Sequence, residues 1–396
     1  MSQQSLPDSV PPRRFEYADD RSYKFWTIAL SGLSLTTRFG KIGHPGQTKE
    51  IRFDSAEDAK RNYLKRIRQK TRAGYEERVP NKTKVVSSQE TWHQFADHEP
   101  FLKAILESPD DQTGYAIYAD WLSEQQDPRG EFIRIQLALE DPSLPLYKRP
   151  KLERSADLIR QDNVRAWLGN LAPWLMDRGA AACPYQFRRG QLAVLICVAL
   201  RCRFAHELKA SPHCRFLEEL SIGETEILGE TIQIDDQRYE AGQDYGLRPL
   251  LGGDFGNVRE FRFGTLPEPL DSVMPSNTSG LIELIASMPR LERLWLWTNV
   301  DLRILLELPL KQLRELHVLL DVPQIERLSK SGRLPQLSVL GSLNPITNGT
   351  IAALIRAHGF DQLTQFICHE LSSASESSVA RMQETGVLLE LMNFPD

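Results

Sequence analysis

The chain has 396 residues and a net charge of −5, and 41% of its residues are hydrophobic while 26% are charged. This balance excludes an intrinsically disordered chain, and the length allows two or three domains. No run of about 18 apolar residues is present, which excludes a transmembrane helix, and a polar N-terminus with five scattered cysteines predicts a cytoplasmic protein without a secretory signal or disulfides.

Changes in composition predict five segments. Residues 1–14 are polar and contain a Pro pair, which predicts a disordered tail. A module at 15–78 follows, then a polar linker at 79–91, a helical module at 92–178 and a repetitive domain at 185–396. The predicted fold class is therefore multidomain, with a small α+β domain, a short helical module and an α/β repeat domain.

Alternating apolar residues in the first module predict a small sheet and one helix. The helix begins after Ser55, has Asp58 in capping-box register and ends before Gly74. The predicted strands are Tyr23–Ser31, Leu33–Gly43 and Lys49–Phe53.

Basic residues concentrate in this module. Residues 13–78 hold 16 Lys and Arg against 9 Asp and Glu, which indicates an anionic partner. On the predicted helix one stripe is basic, while Ala59, Tyr63 and Ile67 fall on the opposite, buried face. The stripe consists of Arg61, Lys65, Arg68 and Arg72. It suits contacts with phosphate groups, and a solvated or protein-contacting face is the alternative.

Two short motifs, RFGKIG at 38–43 and PGQT at 45–48, resemble the WGR domain of poly(ADP-ribose) polymerases and of bacterial proteins similar to the molybdate-metabolism regulator. In the polymerases this domain contacts DNA ends and neighbouring domains, partly through the Trp and Arg for which it is named. Phe39 and Lys41 occupy those two positions here. The resemblance implies that Arg38, Phe39 and Lys41 contact nucleic acid together with the basic stripe.

The helical module carries YADWL at 118–122 and DPRGEFIR at 127–134. These motifs resemble a short helical domain that precedes repeat arrays in some bacterial proteins. Asp120, Asp127 and Glu131 are expected to cap helices or to pair with nearby arginines, and not to act as acid–base catalysts.

The stretch LERLWLWTNVDL at 291–302 fits L-x-x-L-x-L-x-x-N-x-x-L, the leucine-rich-repeat signature. Shorter copies of this frame begin at Leu192, Leu217, Val258, Leu291, Leu313, Leu337, Leu363 and Leu388. Five of the seven intervals match the repeat length of that family, roughly 20–29 residues. The pattern predicts a horseshoe-shaped solenoid with a parallel sheet, and leucines on amphipathic helices that match by chance are the alternative.

Helical segments are expected between the repeated strands, and the glycine-rich insertion at 224–253 is expected to be a loop. The predicted helices are Leu281–Met288, Leu302–Leu308, Gln324–Lys330, Thr350–His358 and Glu376–Glu384.

Residues between the inward-pointing leucines are expected on the concave face of the predicted solenoid. Two tryptophans beside arginines are typical of an interface, so this face predicts a protein partner. The predicted partner-binding residues are Arg262, Arg293, Trp295, Trp297, His317 and Leu319. The alternative is that other parts of the chain cover this face.

No metal, cofactor or catalytic site is predicted. The best metal candidate combines Cys197, Cys202, His206, His213 and Cys214, but it lacks paired ligand spacing, which favours buried thiols. No nucleophile, phosphate-loop or metalloprotease motif is present. The sequence therefore predicts a non-catalytic bacterial adaptor that binds a protein partner, binds DNA through its first module and does not bind membranes; a regulatory subunit that recruits an enzyme in trans is the alternative.

Overall fold

A computed structural model of the chain describes residues 9–19, 22–41, 47–78, 97–177, 183–265, 277–357, 362–368 and 374–391. The chain divides into two compact units. One comprises Met1–Glu90 with Ser143–Asp162, and the other comprises Thr91–Pro142 with Asn163–Asp396. The protein is therefore multidomain, with a small N-terminal β domain and a large α/β region, while the predicted domain boundaries stay predictions.

The N-terminal domain is an antiparallel sheet of five strands in the order β4-β3-β2-β1-β5, with one helix, α1, at Ala56–Arg72. The strands are β1 (Ser9–Asp19), β2 (Ser22–Ser31), β3 (Ser34–Lys41), β4 (Gln47–Arg52) and β5 (Glu76–Arg78). The hydroxyl of Ser55 accepts a hydrogen bond from the backbone N–H of Asp58 at 3.1 Å, which confirms the predicted start of the helix.

The predicted disordered tail at 1–14 is wrong for Ser9–Arg14, which belong to β1. The register between β1 and β2 shifts between Val10 and Arg13, so the Pro pair occupies a bulge, where prolines are tolerated in strands. Phe15 anchors the strand because its buried ring packs against Trp26, with ring centroids 5.4 Å apart. The remainder of the tail and the predicted linker at 79–91 lie outside the described residues.

The core of this domain lies between α1 and one face of the sheet. Ala59 and Tyr63 of α1 are buried there, as the stripe pattern predicted. Their partners from the strands are Phe15, Trp26, Ile28, Leu30 and Leu35. Since strand residues alternate between the two faces, every second residue of β2 and β3 points toward the helix.

Five α-helices lie within the described residues 97–177, and the helical character predicted for this part of the chain is confirmed. They are α2 (Glu99–Glu107), α3 (Gln112–Glu124), α4 (Pro128–Glu140), α5 (Arg149–Leu168) and α6 (Ala172–Met176). Asp127 caps α4 by accepting a hydrogen bond from the backbone N–H of Arg129 at 2.8 Å. Asp120 pairs with Arg134 at 2.8 Å, so both acids have the structural roles expected of them.

A second, nine-stranded sheet dominates the larger unit, and its order is β16-β15-β14-β13-β12-β11-β8-β7-β6. All neighbours pair in parallel except β6 and β7, which confirms the predicted parallel sheet. The strands from this part of the chain are β6 (Tyr185–Arg188), β7 (Gln191–Leu200), β8 (Glu219–Thr225), β9 (Ile232–Ile234), β10 (Gln237–Tyr239), β11 (Glu260–Phe263), β12 (Arg293–Leu296), β13 (Glu315–Val318), β14 (Val339–Ser342), β15 (Gln365–Cys368) and β16 (Leu388–Leu391).

Helices lie between most of these strands in the sequence, and the five predicted segments are confirmed. They are α7 (Cys202–Ala210), α8 (Leu281–Ala286), α9 (Leu302–Leu305), α10 (Val322–Ser331), α11 (Asn348–Arg356) and α12 (Glu376–Gln383). No helix in the described ranges is both long and apolar enough to cross a bilayer.

The insertion at 224–253 was predicted as a loop, and this is wrong for the hairpin formed by β9 and β10. Ile232 and Tyr239 are buried and anchor the hairpin. The hydroxyl of Tyr239 lies 2.5 Å from Nε2 of His206. Each strand has only three residues, which is too short for an alternating pattern to stand out among the glycines.

A continuous row of apolar side chains crosses the parallel strands at equivalent positions. The row contains Leu220, Phe261, Leu294, Leu316, Leu340 and Phe366, all of them buried. Because the side-chain period of a strand is two, the residues that follow these point to the opposite face of the sheet. That opposite face carries Arg262, Trp295, His317 and Gly341, and we call it the Trp295 face. The predicted leucine-rich-repeat solenoid itself stays a prediction.

Helix α4 fixes the hairpin of β6 and β7 within the larger unit. The amide of Gln136 donates to the carbonyl of Phe187 at 2.8 Å and accepts from the backbone N–H of Gly190 at 2.7 Å. Arg189, in the turn of the hairpin, pairs with Glu140 at 2.7 Å. The antiparallel edge of the sheet is thereby tied to the helical module.

His213 couples the stability of this unit to pH. His213 lies in a short 3-10 helix, Pro212–Phe216, and its side chain is buried. Burial, followed by the positive charge of Arg129, lowers the pKa of the imidazole to about 4. In an unfolded chain the pKa is about 6.5, so unfolded molecules take up this proton first as the pH falls. The contribution of the neutral, buried imidazole to the free energy of unfolding is therefore complete above about pH 6.5. It is lost as the pH falls toward 4.

We expect His213 to account for about 3 kcal/mol of the free energy of unfolding that the protein loses between pH 7 and pH 4. A His213→Gln variant, which cannot take up this proton, is expected to lose correspondingly less over the same interval. Urea unfolding of both chains at several pH values measures the difference. Parallel pH dependences for the two chains would contradict the assignment.

Candidate functional site

Helix α1 presents one basic face. Arg61, Lys65, Arg68 and Arg72 are all exposed, opposite the buried Ala59 and Tyr63. Arg61 pairs with Asp58 at 3.2 Å, but both side chains are largely exposed, so this ion pair is weak. The structure confirms the prediction that these four basic residues lie along one exposed face of the helix. The four cations lie along about three turns of the helix, a spacing that allows contacts with successive phosphates.

The end of β3 divides the residues of the RFGKIG motif between the two faces of the sheet. Phe39 is 40% exposed and lies opposite Trp26 of β2, on the face that α1 covers. Arg38 is exposed but points to the other face, by the alternation of the strand. The side chain of Lys41 lies outside the described residues. The structure therefore brings Phe39, but not Arg38, to the face shared with α1.

Two lysines that the sequence analysis did not select extend the positive charge around Phe39. Lys70 of α1 places its ammonium 4.3 Å from the ring centroid of Tyr75 and 5.7 Å from that of Trp26. Burial, followed by the nearby charge of Lys24, lowers the pKa of Lys70. Lys24 lies opposite Lys41 in the pairing of β2 with β3. This pairing with a residue of the predicted site is the feature that could have added Lys24 to the prediction.

The Trp295 face of the larger sheet carries a row of residues in register. The row runs Ile196, Ser221, Arg262, Trp295, His317, Gly341, Ile367 and Glu390 across eight strands. Aromatic and cationic groups concentrate at its centre. Small residues flank them on both sides, which leaves the central side chains room to lean along the row.

At the centre, three side chains stack along the row. The guanidinium carbon of Arg262 lies 4.9 Å from the ring centroid of Trp295. The indole of Trp295 stacks on the imidazole of His317, with centroids 3.6 Å apart and planes inclined by 12°. The imidazole in turn leans over Gly341, because a Cβ added at that glycine would lie only 1.9 Å from Nδ1 of His317. The stack therefore depends on the missing side chain at position 341.

Charged partners hold the stack from one side. Glu260 is buried and accepts hydrogen bonds from Nε of Arg262 at 2.5 Å and Nε of Arg293 at 2.6 Å. His317 Nε2 lies 2.7 Å from a carboxylate oxygen of Glu315. A buried carboxylate shared by two guanidinium groups restrains the orientations of both Arg262 and Arg293.

The predicted partner-binding residues do not share one environment. Trp295, Trp297 and Leu319 are half-buried, and the two indoles meet edge to face with centroids 5.8 Å apart. The side chain of His317 has 0% exposure, so its predicted exposure on this face is wrong. Trp295 covers the imidazole, and His317 therefore supports the face from beneath.

Three ring nitrogens at this centre are covered yet have no hydrogen-bond partner in the described part of the chain. They are Nε1 of Trp295, Nε1 of Trp297 and Nδ1 of His317. Buried polar groups are usually paired, and an unpaired one costs about 1–3 kcal/mol. A cluster of three is therefore an unusual feature of a folded sheet.

The dependence of the stack on Gly341 gives a direct prediction. A Gly341→Ala variant is expected to lower the free energy of unfolding by about 2 kcal/mol, because its Cβ would displace the imidazole of His317. In a His317→Ala background the same change should cost much less, since the obstructing ring is gone. Chemical unfolding of the four chains of this double-mutant cycle measures the coupling, expected at roughly 1–2 kcal/mol. Additive effects would show that the ring does not occupy this position.

The residues weighed as metal ligands are dispersed in the structure. Within the described ranges no three His, Cys, Asp or Glu side chains converge in a way that could hold a metal ion. His206 contacts Tyr239, and Cys197 contacts Cys183 instead of the other candidates. The expectation of no bound metal stays a prediction.

Comparison with known proteins identifies the first domain. The family model for the WGR domain matches residues 12–82, which confirms the prediction that this part of the chain is a WGR domain. The presence of this domain indicates a nucleic-acid- or protein-binding module.

Two curated proteins of Escherichia coli K12 are similar to short stretches of the chain. The uncharacterized protein YfeS is 38% identical over 65 residues, which cover 16% of this chain and 27% of YfeS. The protein YehF is 36% identical over 67 residues, which cover 17% of this chain and 24% of YehF. The chain thus spans about a quarter of the length of these relatives.

Among solved structures, a crystal structure of a Bacteroides fragilis protein aligns with 96% of this chain and 95% of its own, at 12% identity and a TM-score of 0.29. A similarity at that level does not establish a shared fold.

Proposed function

We propose that the chain is a non-catalytic adaptor with two binding surfaces. Its WGR domain contacts the phosphate backbone of nucleic acid, and a leucine-rich-repeat solenoid, built on the nine-stranded sheet, binds a protein partner through the Trp295 face. The two surfaces belong to separate units of the chain, so each can be altered by itself.

The observation that carries the nucleic-acid half of the proposal is the basic face of α1. Lys65, Arg68 and Arg72 form no ion pair with the described part of the chain, and Arg61 has only its exposed pair with Asp58. Unpaired cations on one helix face are available to neutralise phosphates and release their counterions. Phe39, exposed beside Lys24 and Lys70, adds a surface on which a base or sugar can stack.

Salt dependence tests this half of the proposal. Binding of the 396-residue chain to a short fluorescent DNA duplex is measured by anisotropy over a range of potassium chloride concentrations. Three or four phosphate contacts predict a slope of roughly −3 for the logarithm of the association constant against the logarithm of salt concentration. A slope near zero, or no binding at low salt, would reject phosphate contacts.

The protein-binding half rests on the centre of the Trp295 face. Trp295 and Trp297 offer large, partly exposed rings, and Glu260 holds Arg262 and Arg293 in place beside them. Tryptophan and arginine are the residues most enriched where interfaces concentrate their binding energy. Rigid groups also lose less conformational entropy on binding, which favours affinity.

The unpaired indole nitrogens indicate the chemistry of the partner. Both Nε1 atoms can only donate, so a partner that supplies acceptor oxygens satisfies them. The proposal requires the two rings to shift on binding, so that their N–H groups, which are covered in the free chain, reach the partner. Backbone carbonyls of a protein segment laid across the strands are acceptors of this kind, and the proposed partner is therefore a protein.

A further inference from the structure

Two cysteines face each other at the open end of the β6–β7 hairpin, where Cys197 lies in β7 and Cys183 lies two residues before β6. Tyr185 pairs with Leu195, and the backbone N–H of Ile196 donates to the carbonyl of Pro184 at 2.9 Å. One step further along the same register, Cys183 lies opposite Cys197. The register shift in this hairpin lies between Gln186 and Phe187, toward the turn, so it leaves the pairing at the open end intact.

The hydrogen-bond pattern gives this pair the geometry of a potential disulfide. Pro184 and Ile196 form a hydrogen-bonded pair, so the next pair along the ladder is a non-hydrogen-bonded one. At such pairs the Cα atoms are about 4.5 Å apart and the side chains are at their closest. That separation falls within the range that a disulfide spans, about 4.4–6.8 Å. The two thiols are near enough for each to shift the pKa of the other.

The two thiols differ in accessibility and acidity. Cys183 is 8% exposed, while Cys197 is fully buried. The hydrogen bond from Cys197 lowers the pKa of Cys183, and the same contact together with burial raises the pKa of Cys197. Cys183 is therefore the thiol that ionises first and the less buried of the two, and Cys197 is the fully buried second thiol.

We propose that Cys183 and Cys197 form an oxidation site at which a hydroperoxide converts the two thiols into an intramolecular disulfide. The thiolate of Cys183 attacks the terminal oxygen of the peroxide, and the O–O bond breaks. For hydrogen peroxide the departing hydroxide takes up the proton that the Cys183 thiol lost on ionisation, which gives one molecule of water and leaves a sulfenic acid on Cys183. Sγ of Cys197 then attacks Sγ of Cys183, the S–O bond breaks, and the departing hydroxide takes the thiol proton of Cys197 as a second molecule of water. The protein loses two electrons and two protons, and the peroxide is reduced.

The remaining cysteines lack this arrangement. Burial is the main cause that raises the pKa of Cys202, Cys214 and Cys368 to about 11. Cys214 and Cys368 direct their sulfur atoms to backbone carbonyls. Reactivity toward peroxide requires the thiolate, so oxidation is expected to select Cys183.

The new bond would fasten the edge of the large sheet. Arg189 and Gly190 form the two-residue turn between β6 and β7, both with positive φ, as a tight hairpin requires. The Cys183–Cys197 bond closes the opposite, open end of the same hairpin. β6 would then be covalently held to β7 at one end and connected by the turn at the other.

Mass spectrometry of the whole chain tests the proposal. After treatment with hydrogen peroxide, the intact chain is expected to weigh less by two hydrogen atoms, and a peptide map is expected to join Cys183 to Cys197. Dithiothreitol should restore the original mass. Cys202→Ser is the matched control and should form the same bond, whereas Cys183→Ser should not.

A second variant identifies the order of the two steps. Cys197→Ala removes the second thiol, so the sulfenic acid on Cys183 should persist and should be captured by dimedone. The proposal is overturned if both thiols of the treated wild-type chain can still be alkylated, if the bond maps to another pair, or if dimedone labels no residue 183 in a folded Cys197→Ala chain. Circular dichroism of each variant establishes that it is folded.

Discussion

Replacing Arg61, Lys65 and Arg68 together with Glu is expected to abolish the binding of duplex DNA by the chain. The three side chains are exposed on one face of α1, so the substitutions turn an attractive surface into one that repels phosphate. Loss of three phosphate contacts and the added repulsion should weaken binding by roughly 100-fold or more. Anisotropy titration at low salt measures the change. The fold should be retained, because the buried side of the helix, with Ala59 and Tyr63, is unchanged.

A matched control separates the position of the charge from its amount. Lys103, Lys311 and Arg333 are also exposed, but they belong to the larger unit. Their replacement by Glu changes the net charge by the same amount. This control is expected to retain most of the DNA affinity. If both triple variants lose binding equally, general charge and not the WGR domain governs the interaction.

The second large effect is expected at the Trp295 face. A Trp295→Ala/Trp297→Ala chain should lose its protein partner, because truncation removes the two rings and the surface that Arg262 flanks. Both rings are half-buried, so we also expect the free energy of unfolding to fall by about 2 kcal/mol. That loss leaves a folded chain on which binding can be measured. Calorimetry of the double variant and co-precipitation of the partner give the two readouts.

The same sheet face offers a control for this variant. Ile196 and Val198 of β7 are 41% and 66% exposed, three strands away from Trp295. Their replacement by Ala also removes exposed apolar surface but should leave partner binding intact. A drop in melting temperature so large that the Trp double variant unfolds would instead show that the two rings belong to the core, and the interface proposal would fail.

Local patterns were enough to predict the elements that carry both candidate surfaces. The capping residue Ser55 and the stripe of α1 depend only on residues within a few positions of each other, and both are confirmed. The alternation of leucines likewise predicted the strands of the parallel sheet. β5 was missed because it depends on pairing with β1, which is distant along the chain. β1 pairs with the neighbouring β2, but it was missed because its Pro pair, which lies in a bulge, resembles disorder in composition.

The environment of His317 could not be predicted from the sequence of its own strand. Its position in the strand alternation predicted the correct face of the sheet, but its burial depends on Trp295 in the preceding strand and Gly341 in the following one. A side chain at position 341 would have displaced the imidazole. The charges around Phe39 show the same dependence, since Lys24 and Lys70 come together only through the packing of α1 on β2.

Capture of a partner on immobilised DNA tests the central claim, that one chain joins nucleic acid to protein through two separate surfaces. Wild-type chain, the Arg61/Lys65/Arg68→Glu variant and the Trp295/Trp297→Ala variant are each loaded on DNA beads with lysate of the native host, and the retained proteins are quantified by mass spectrometry. The account predicts that the wild type retains a partner, that the charge variant leaves the beads together with that partner, and that the Trp variant stays on the DNA alone. Retention of the charge variant on DNA, or the same proteins recovered with the Trp variant as with wild type, would contradict it.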